Sequence, residues 1–131
     1  MANSLQFHLW INNRSSKTLT LNNYNLDHGN FNNPDVGAKA PVASVPPKTN
    51  MLVMVATGAQ NSATGTEGWV TYNIEGTGQS ITMNWDVPWV SGAQNTCSAS
   101  NSSPDNILFI ADPGSDYGRV LSTEASFAWL G

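Results

Sequence analysis

Gly68-Trp69-Val70-Thr71-Tyr72-Asn73-Ile74 and Gln79-Ser80-Ile81-Thr82-Met83-Asn84-Trp85 are two runs rich in β-branched and aromatic residues, joined by Glu75-Gly76-Thr77-Gly78. Such runs fit a pleated, half-buried surface. A short glycine-bearing connection between them is the signature of a β-hairpin. Thr66-Glu67 leads into the first run, and Asp86-Val87-Pro88-Trp89 follows the second. Pro88 lacks a backbone donor and restricts the residue before it, so the second strand is predicted to stop there. At least one of the two indoles that flank this stop is therefore expected near the end of a sheet. Trp85 alternates with Ile81 and Met83 and reads either as core or as rim, whereas Trp89 lies past the proline.

The same period of two extends outward from the hairpin. Phe7, Leu9 and Ile11 alternate with His8 and Trp10, and Thr18 to Leu21 alternates Thr and Leu. Asn50 to Ala56 is a continuous apolar run of strand length, and Ile107 to Ala111 and Glu124 to Leu130 supply two more strands. Asn32-Asn33-Pro34, Pro46-Pro47, Pro88 and Asp112-Pro113-Gly114 separate the runs as turn formers do. Val90 to Asp105 reads as one long polar loop. Tyr72 and Trp10 fit the core or a sheet face better than a binding site. With no convincing amphipathic helix, linker or internal repeat, the expected architecture is all-β: residues 1–131 as a single β-sandwich of two mostly antiparallel sheets.

The chain's 131 residues are enough to bury a core without staples. Charged residues make up 11%, roughly half of the usual share of about 25%. The net charge is −4, and the five basic residues, Arg14, Lys17, Lys39, Lys48 and Arg119, are dispersed along the chain without clustering. Nucleic-acid binding needs cations that track phosphates and is disfavoured. Docking on anionic lipid by charge alone is disfavoured for the same reason. Any membrane contact would use aromatic and hydrogen-bonding groups on neutral or zwitterionic lipid.

Cys97 is the single cysteine, so no internal disulfide and no cysteine-based zinc site is expected; it reads as an inert thiol rather than a cross-link. The first dozen residues lack the basic and apolar regions of a signal peptide. No run reaches the roughly 20 apolar residues of a spanning helix. The expectation is a soluble protein, secreted or released without a classical signal. The Asn13-Arg14-Ser15 and Asn101-Ser102-Ser103 sequons carry little meaning in that setting.

Gly65-Thr66-Glu67-Gly68, the hairpin and its Trp85-Asp86-Val87-Pro88-Trp89 end resemble the aegerolysin family. Ile11-Asn12-Asn13, Leu19-Thr20-Leu21 and His28-Gly29 are similar to that family's opening strands and turn. The resemblance runs from about Gln6 to Trp89. The fungal motif carries Cys where this chain has Val87, and the Thr-Glu-Gly turn also resembles the small component of bacterial binary insecticidal toxins. The resemblance implies an aegerolysin- or actinoporin-like sandwich that binds membrane lipid in a sphingolipid- or sterol-containing bilayer. It also implies action at a target-cell membrane, as the recognition half of a pore completed by a larger pore-forming partner protein.

By the same resemblance, the lipid-binding candidates are Glu67, Trp69, Trp85, Trp89 and His28. Glu67 matches a family glutamate linked to recognition of the lipid's state; its carboxylate could accept hydrogen bonds from lipid hydroxyl or amide groups, or simply cap a turn. His28 falls where fungal members carry a membrane-facing Trp. It offers less apolar area, so their lipid preference does not simply carry over; it could instead make binding pH-sensitive or be a plain surface histidine. Trp69 and Trp89 supply aromatic area, which suits membrane interfaces and sugar faces alike.

His8 and His28 are the only histidines and show no metal-ligand spacing. No nucleophile elbow or phosphate loop is present, and Asp112-Pro113-Gly114-Ser115-Asp116 reads as a turn rather than a calcium loop. An enzyme, a cofactor and a metal are therefore not expected. A lectin on a similar sandwich and a structural, spore-associated sandwich protein without a ligand are the alternative readings. Homodimerisation through an edge strand remains compatible with a small sandwich.

Overall fold

Alternation in the opening segment becomes strand β1 (Gln6–Asn13), in which Phe7, Leu9, Ile11 and Asn13 are buried. The computed structural model describes residues 5–58, 65–89, 93–112, 114 and 119–131. Eight further strands follow β1: β2 (Leu19–His28), β3 (Ser44–Val45), β4 (Thr49–Thr57), β5 (Thr66–Ile74), β6 (Gln79–Val87), β7 (Thr96–Asn101), β8 (Ile107–Asp112) and β9 (Val120–Trp129). A single 3-10 turn, Pro34–Val36, lies between β2 and β3. Among the described residues there is no α-helix, and none is long and apolar enough to cross a membrane.

The strands form a four-stranded sheet in the order β4-β1-β9-β8 and a five-stranded sheet in the order β3-β2-β5-β6-β7. Among the described residues only β1 and β9 run parallel, and the other strand pairs are antiparallel. The all-β, two-sheet expectation holds. β5 and β6 pair from Thr66↔Val87 to Ile74↔Gln79, so the hairpin lies where the sequence put it.

Phe7, Leu9, Ile11 and Phe127 of one sheet and Val70, Tyr72, Ile74, Ile81 and Met83 of the other are each no more than 1% exposed. Burial of each such side chain contributes about 1.5–3 kcal/mol before entropy is counted. Tyr72 donates its hydroxyl to the Val42 carbonyl at 2.7 Å, and burial pushes its phenol above the ordinary value. Asn13, fully buried, ties three segments together. Its amide donates to the Lys17, Val45 and Pro46 carbonyls at 2.8, 3.2 and 3.1 Å, and its carbonyl accepts from the Ser15 N–H and hydroxyl at 3.0 and 2.7 Å. The first sequon is thus a structural hub, inaccessible in the folded chain.

Three expectations need correction. The stretch 90–105 is not one loop: it contains β7, whose outward side chains are polar and whose inward ones are small, so no apolar alternation announced it. β2 runs on to His28 through exposed Asn22, Asn23 and Asn25. The cations are not dispersed in space. Arg14, Lys17 and Lys48 share one end of the sandwich, where the Lys48 ammonium donates to the Arg14 carbonyl at 2.7 Å and the Lys48 N–H to the Ser15 carbonyl at 3.3 Å. The proposed turn at 112–116 falls largely outside the described residues.

Candidate functional site

The period of two in β5 sends Thr66, Gly68, Val70 and Tyr72 inward and Glu67, Trp69 and Thr71 outward. Register then aligns the outer face into rows. His28, Glu67, Asp86 and Thr96 are successive cross-strand partners on β2, β5, β6 and β7; one step along, Asn25, Trp69, Asn84 and Ser98 form the next row. Two register shifts in β2, at Leu21/Asn23 and Leu26/His28, adjust its phase to this arrangement, as bulges do.

Between these rows the sheet holds a hollow of about 260 Å³, lined by Asp27, Glu67, Trp69, Asn84, Asp86, Thr96 and Ser98, with Gly68, Trp85 and Cys97 beneath. Gly68 forms the floor because nothing larger fits: a Cβ there would collide with the Asn25 carbonyl and stand 2.9 Å from the Trp85 ring.

The hollow is acidic, with an imidazole beside it. The His28 Nε2 lies 3.9 Å from the Glu67 Oε1, both side chains being well exposed. Such a pair, when the imidazole is protonated, is worth at most about 1 kcal/mol. Desolvation raises the Asp86 carboxyl above its ordinary value, and the charge of His28 offsets part of that rise. Asn25 donates to the Asp27 carboxylate at 2.8 Å and so fixes the third acid of the border.

The sequence candidates fall in different places. Glu67 and Trp69 line the hollow. His28 borders it through Glu67. Trp89, 45% exposed, follows Pro88 just past the end of β6, where the backbone passes so close to Gly65 that a Cβ there would stand 2.9 Å from the Trp89 nitrogen. Trp85 is a correction: it is 2% exposed, stacked on Phe7 with centroids 4.9 Å apart at 9°, and its indole N–H donates to the Thr66 hydroxyl at 3.1 Å. That indole joins the two sheets and offers no face to a ligand.

The sequence reading missed Asp86, Asp27, Asn84 and Ser98. Asp86 was within reach, since it alternates with buried Trp85 and Val87 and so must face outward beside Glu67. Cys97 is half-buried with its sulfur 3.3 Å from the Thr123 hydroxyl across the sandwich. Tyr72 is core, but Trp10 lies on the outer face of the other sheet.

Comparison with known proteins agrees with this architecture. The fold is similar to that of the RahU protein in complex with a Tris molecule (TM-score 0.80, 21% identity, covering 99% of this chain and 98% of that one). It is similar to IP-1A from Alcaligenes faecalis (TM-score 0.78, 16% identity, covering 99% and 94%). It is also similar to the lipid binding protein Nakanori (TM-score 0.78, 12% identity, covering 94% and 70%). Among curated protein sequences no significant match is found. The family model described as Aegerolysin matches residues 3–118, and the chain therefore belongs to the aegerolysin family.

Proposed function

We propose that this protein binds membrane lipid through the hollow on the outer face of its five-stranded sheet. The observation that carries the reading is the in-register placement of Glu67 and Asp86 beside Trp69, with Trp89 exposed just past the end of β6. Trp69 and Trp89 would lie against the interface, where an indole's apolar face and single donor are both accommodated. The carboxylates would receive hydrogen bonds from lipid hydroxyl or amide groups, or hold a cationic headgroup. His28 would tune their charge. Family membership and the shared fold of a lipid-binding protein support the reading. We further propose that the lipid sits in a sphingolipid- or sterol-containing bilayer. The chain would then act at a target-cell membrane as the recognition component of a two-component pore, a larger partner supplying the inserting segments. Co-sedimentation with vesicles of sphingomyelin and cholesterol, ceramide phosphoethanolamine and phosphatidylcholine tests this. Saturable binding to a sphingolipid or sterol mixture is expected, and absence of binding to all of them contradicts it.

One arrangement favours a second reading. Trp69 flanked by Asn84, Asp86 and Asn25 would also suit a sugar ring, with stacking on the indole and hydrogen bonds at its edge. Sugar-inhibited binding on a glycan array, without binding to protein-free vesicles, would select the lectin.

A further inference from the structure

A second hollow lies on the outer face of the other, four-stranded sheet. Trp10 on β1 is 39% exposed there. Its parallel partner on β9 is Glu124, and the partner of Glu124 on β8 is Asp112. An indole and two carboxylates thus occupy one row across three adjacent strands. The hollow measures about 410 Å³ and is lined by Trp10, Asn50, Asp112, Gly114, Ser122 and Glu124, with no cation among them.

Two features shape this place. The register of β1 with β4 shifts between Leu9 and Trp10, and such a shift re-aims a side chain. Gly114, at φ +67°, folds the chain after β8 down onto β9 so tightly that a Cβ would strike the Ser122 carbonyl. Its N–H donates to the Asp112 Oδ1 at 3.2 Å and fixes that carboxylate.

The chemistry of the row selects its ligand. Like charges directly opposite on neighbouring strands repel one another, so this sheet face gains from a cation placed between them. Among the described residues no three metal-ligating side chains gather, and two carboxylates make a poor divalent-ion site. An indole face, by contrast, attracts an organic cation within about 6 Å of the ring. We propose that Trp10, Glu124 and Asp112 form a binding site for an organic ammonium group, held by cation–π contact on the indole and by the two carboxylates. The site lies on the opposite sheet from the lipid hollow and does not depend on it.

Choline chloride is the probe, and the Trp10 indole N–H, assigned with Trp10→Phe in a 15N-labelled chain, is the reporter. This reporter separates the site from the Trp69 hollow. The expected result is a saturable shift of the Trp10 resonance, weakened roughly tenfold in Glu124→Gln and in Asp112→Asn. The neutral carbon isostere 3,3-dimethylbutan-1-ol should be at least roughly tenfold weaker than choline. Both carboxamide variants change exposed side chains, and an unchanged dispersion of the remaining amides checks their fold. Phosphatidylcholine vesicles identify the source of the ammonium group. Weaker vesicle binding in Trp10→Ala supports a lipid headgroup as the ligand, and unchanged vesicle binding with lost choline response supports a free amine. A Trp10 resonance that does not move, equal response to the isostere, or full displacement of choline by calcium overturns the proposal.

Discussion

Gly68 and Asp86 show how single residues set the properties of the lipid hollow. At Gly68 the Trp85 ring and the Asn25 carbonyl occupy the space a side chain would need. Gly68→Val should therefore destabilise the fold by about 1–3 kcal/mol, as overpacking of a filled core does, read as a lower midpoint of urea unfolding. Asp86 stands in the opposite position, held in a place that disfavours its charge. Its folded-state value lies above the unfolded one, so its contribution to stability is present below about pH 3.9 and is lost as pH rises through the folded value. Asp86→Asn should consequently raise the thermal midpoint at pH 7, with a gain that shrinks towards zero below pH 4. A gain that stays constant with pH would show that desolvation of the carboxylate is not the cause. A destabilised acid retained on a surface hollow is the kind of conflict that binding sites tolerate.

At the scale of elements, legibility in the sequence followed side-chain size. The β5–β6 hairpin carries Trp, Val, Tyr, Ile and Met on its inward positions, and its register could be read directly from their spacing. β7 turns Cys97, Ala99 and Asn101 to its inner side, residues too small or too polar to mark a strand, and it passed for loop. The bulges of β2 leave no trace in composition, because the residues concerned are Asn and Asp, equally at home in turns. Asp86 beside Glu67 could be read from the hairpin, but the row's extension to His28 exists only once β2 and β5 are in register, and those residues are far apart along the chain. Connections carry their own burden. Asn13 joins the end of β1 to the β1–β2 turn and to the Val45–Pro46 segment through a single buried amide. Asn13→Ala leaves those carbonyls without their donor and should cost about 3 kcal/mol. Asn13→Asp should not rescue it, since a carboxylate cannot donate to them. Denaturant titration of both variants checks this.

For the whole molecule, the two sheets place different chemistry on their outer faces and at their ends. The five-stranded sheet carries the Trp69 hollow and its acids, the four-stranded sheet carries Trp10 between Glu124 and the β4 edge, and three of the five cations collect at the Arg14–Lys48 end. The Trp85–Phe7 stack locks the sheets together beneath the first hollow. Trp85→Ala should therefore lower stability by about 3–5 kcal/mol, whereas Trp69→Ala, at a half-buried position on the outer face, should cost less, about 1 kcal/mol.

That contrast isolates recognition from folding. The most direct test is the co-sedimentation isotherm of Trp69→Ala with whichever sphingolipid or sterol vesicle the parent chain binds. An affinity at least roughly tenfold weaker, in a variant that stays fully folded at the assay temperature, is the predicted result. Parent-like binding by Trp69→Ala would contradict the placement of lipid in this hollow.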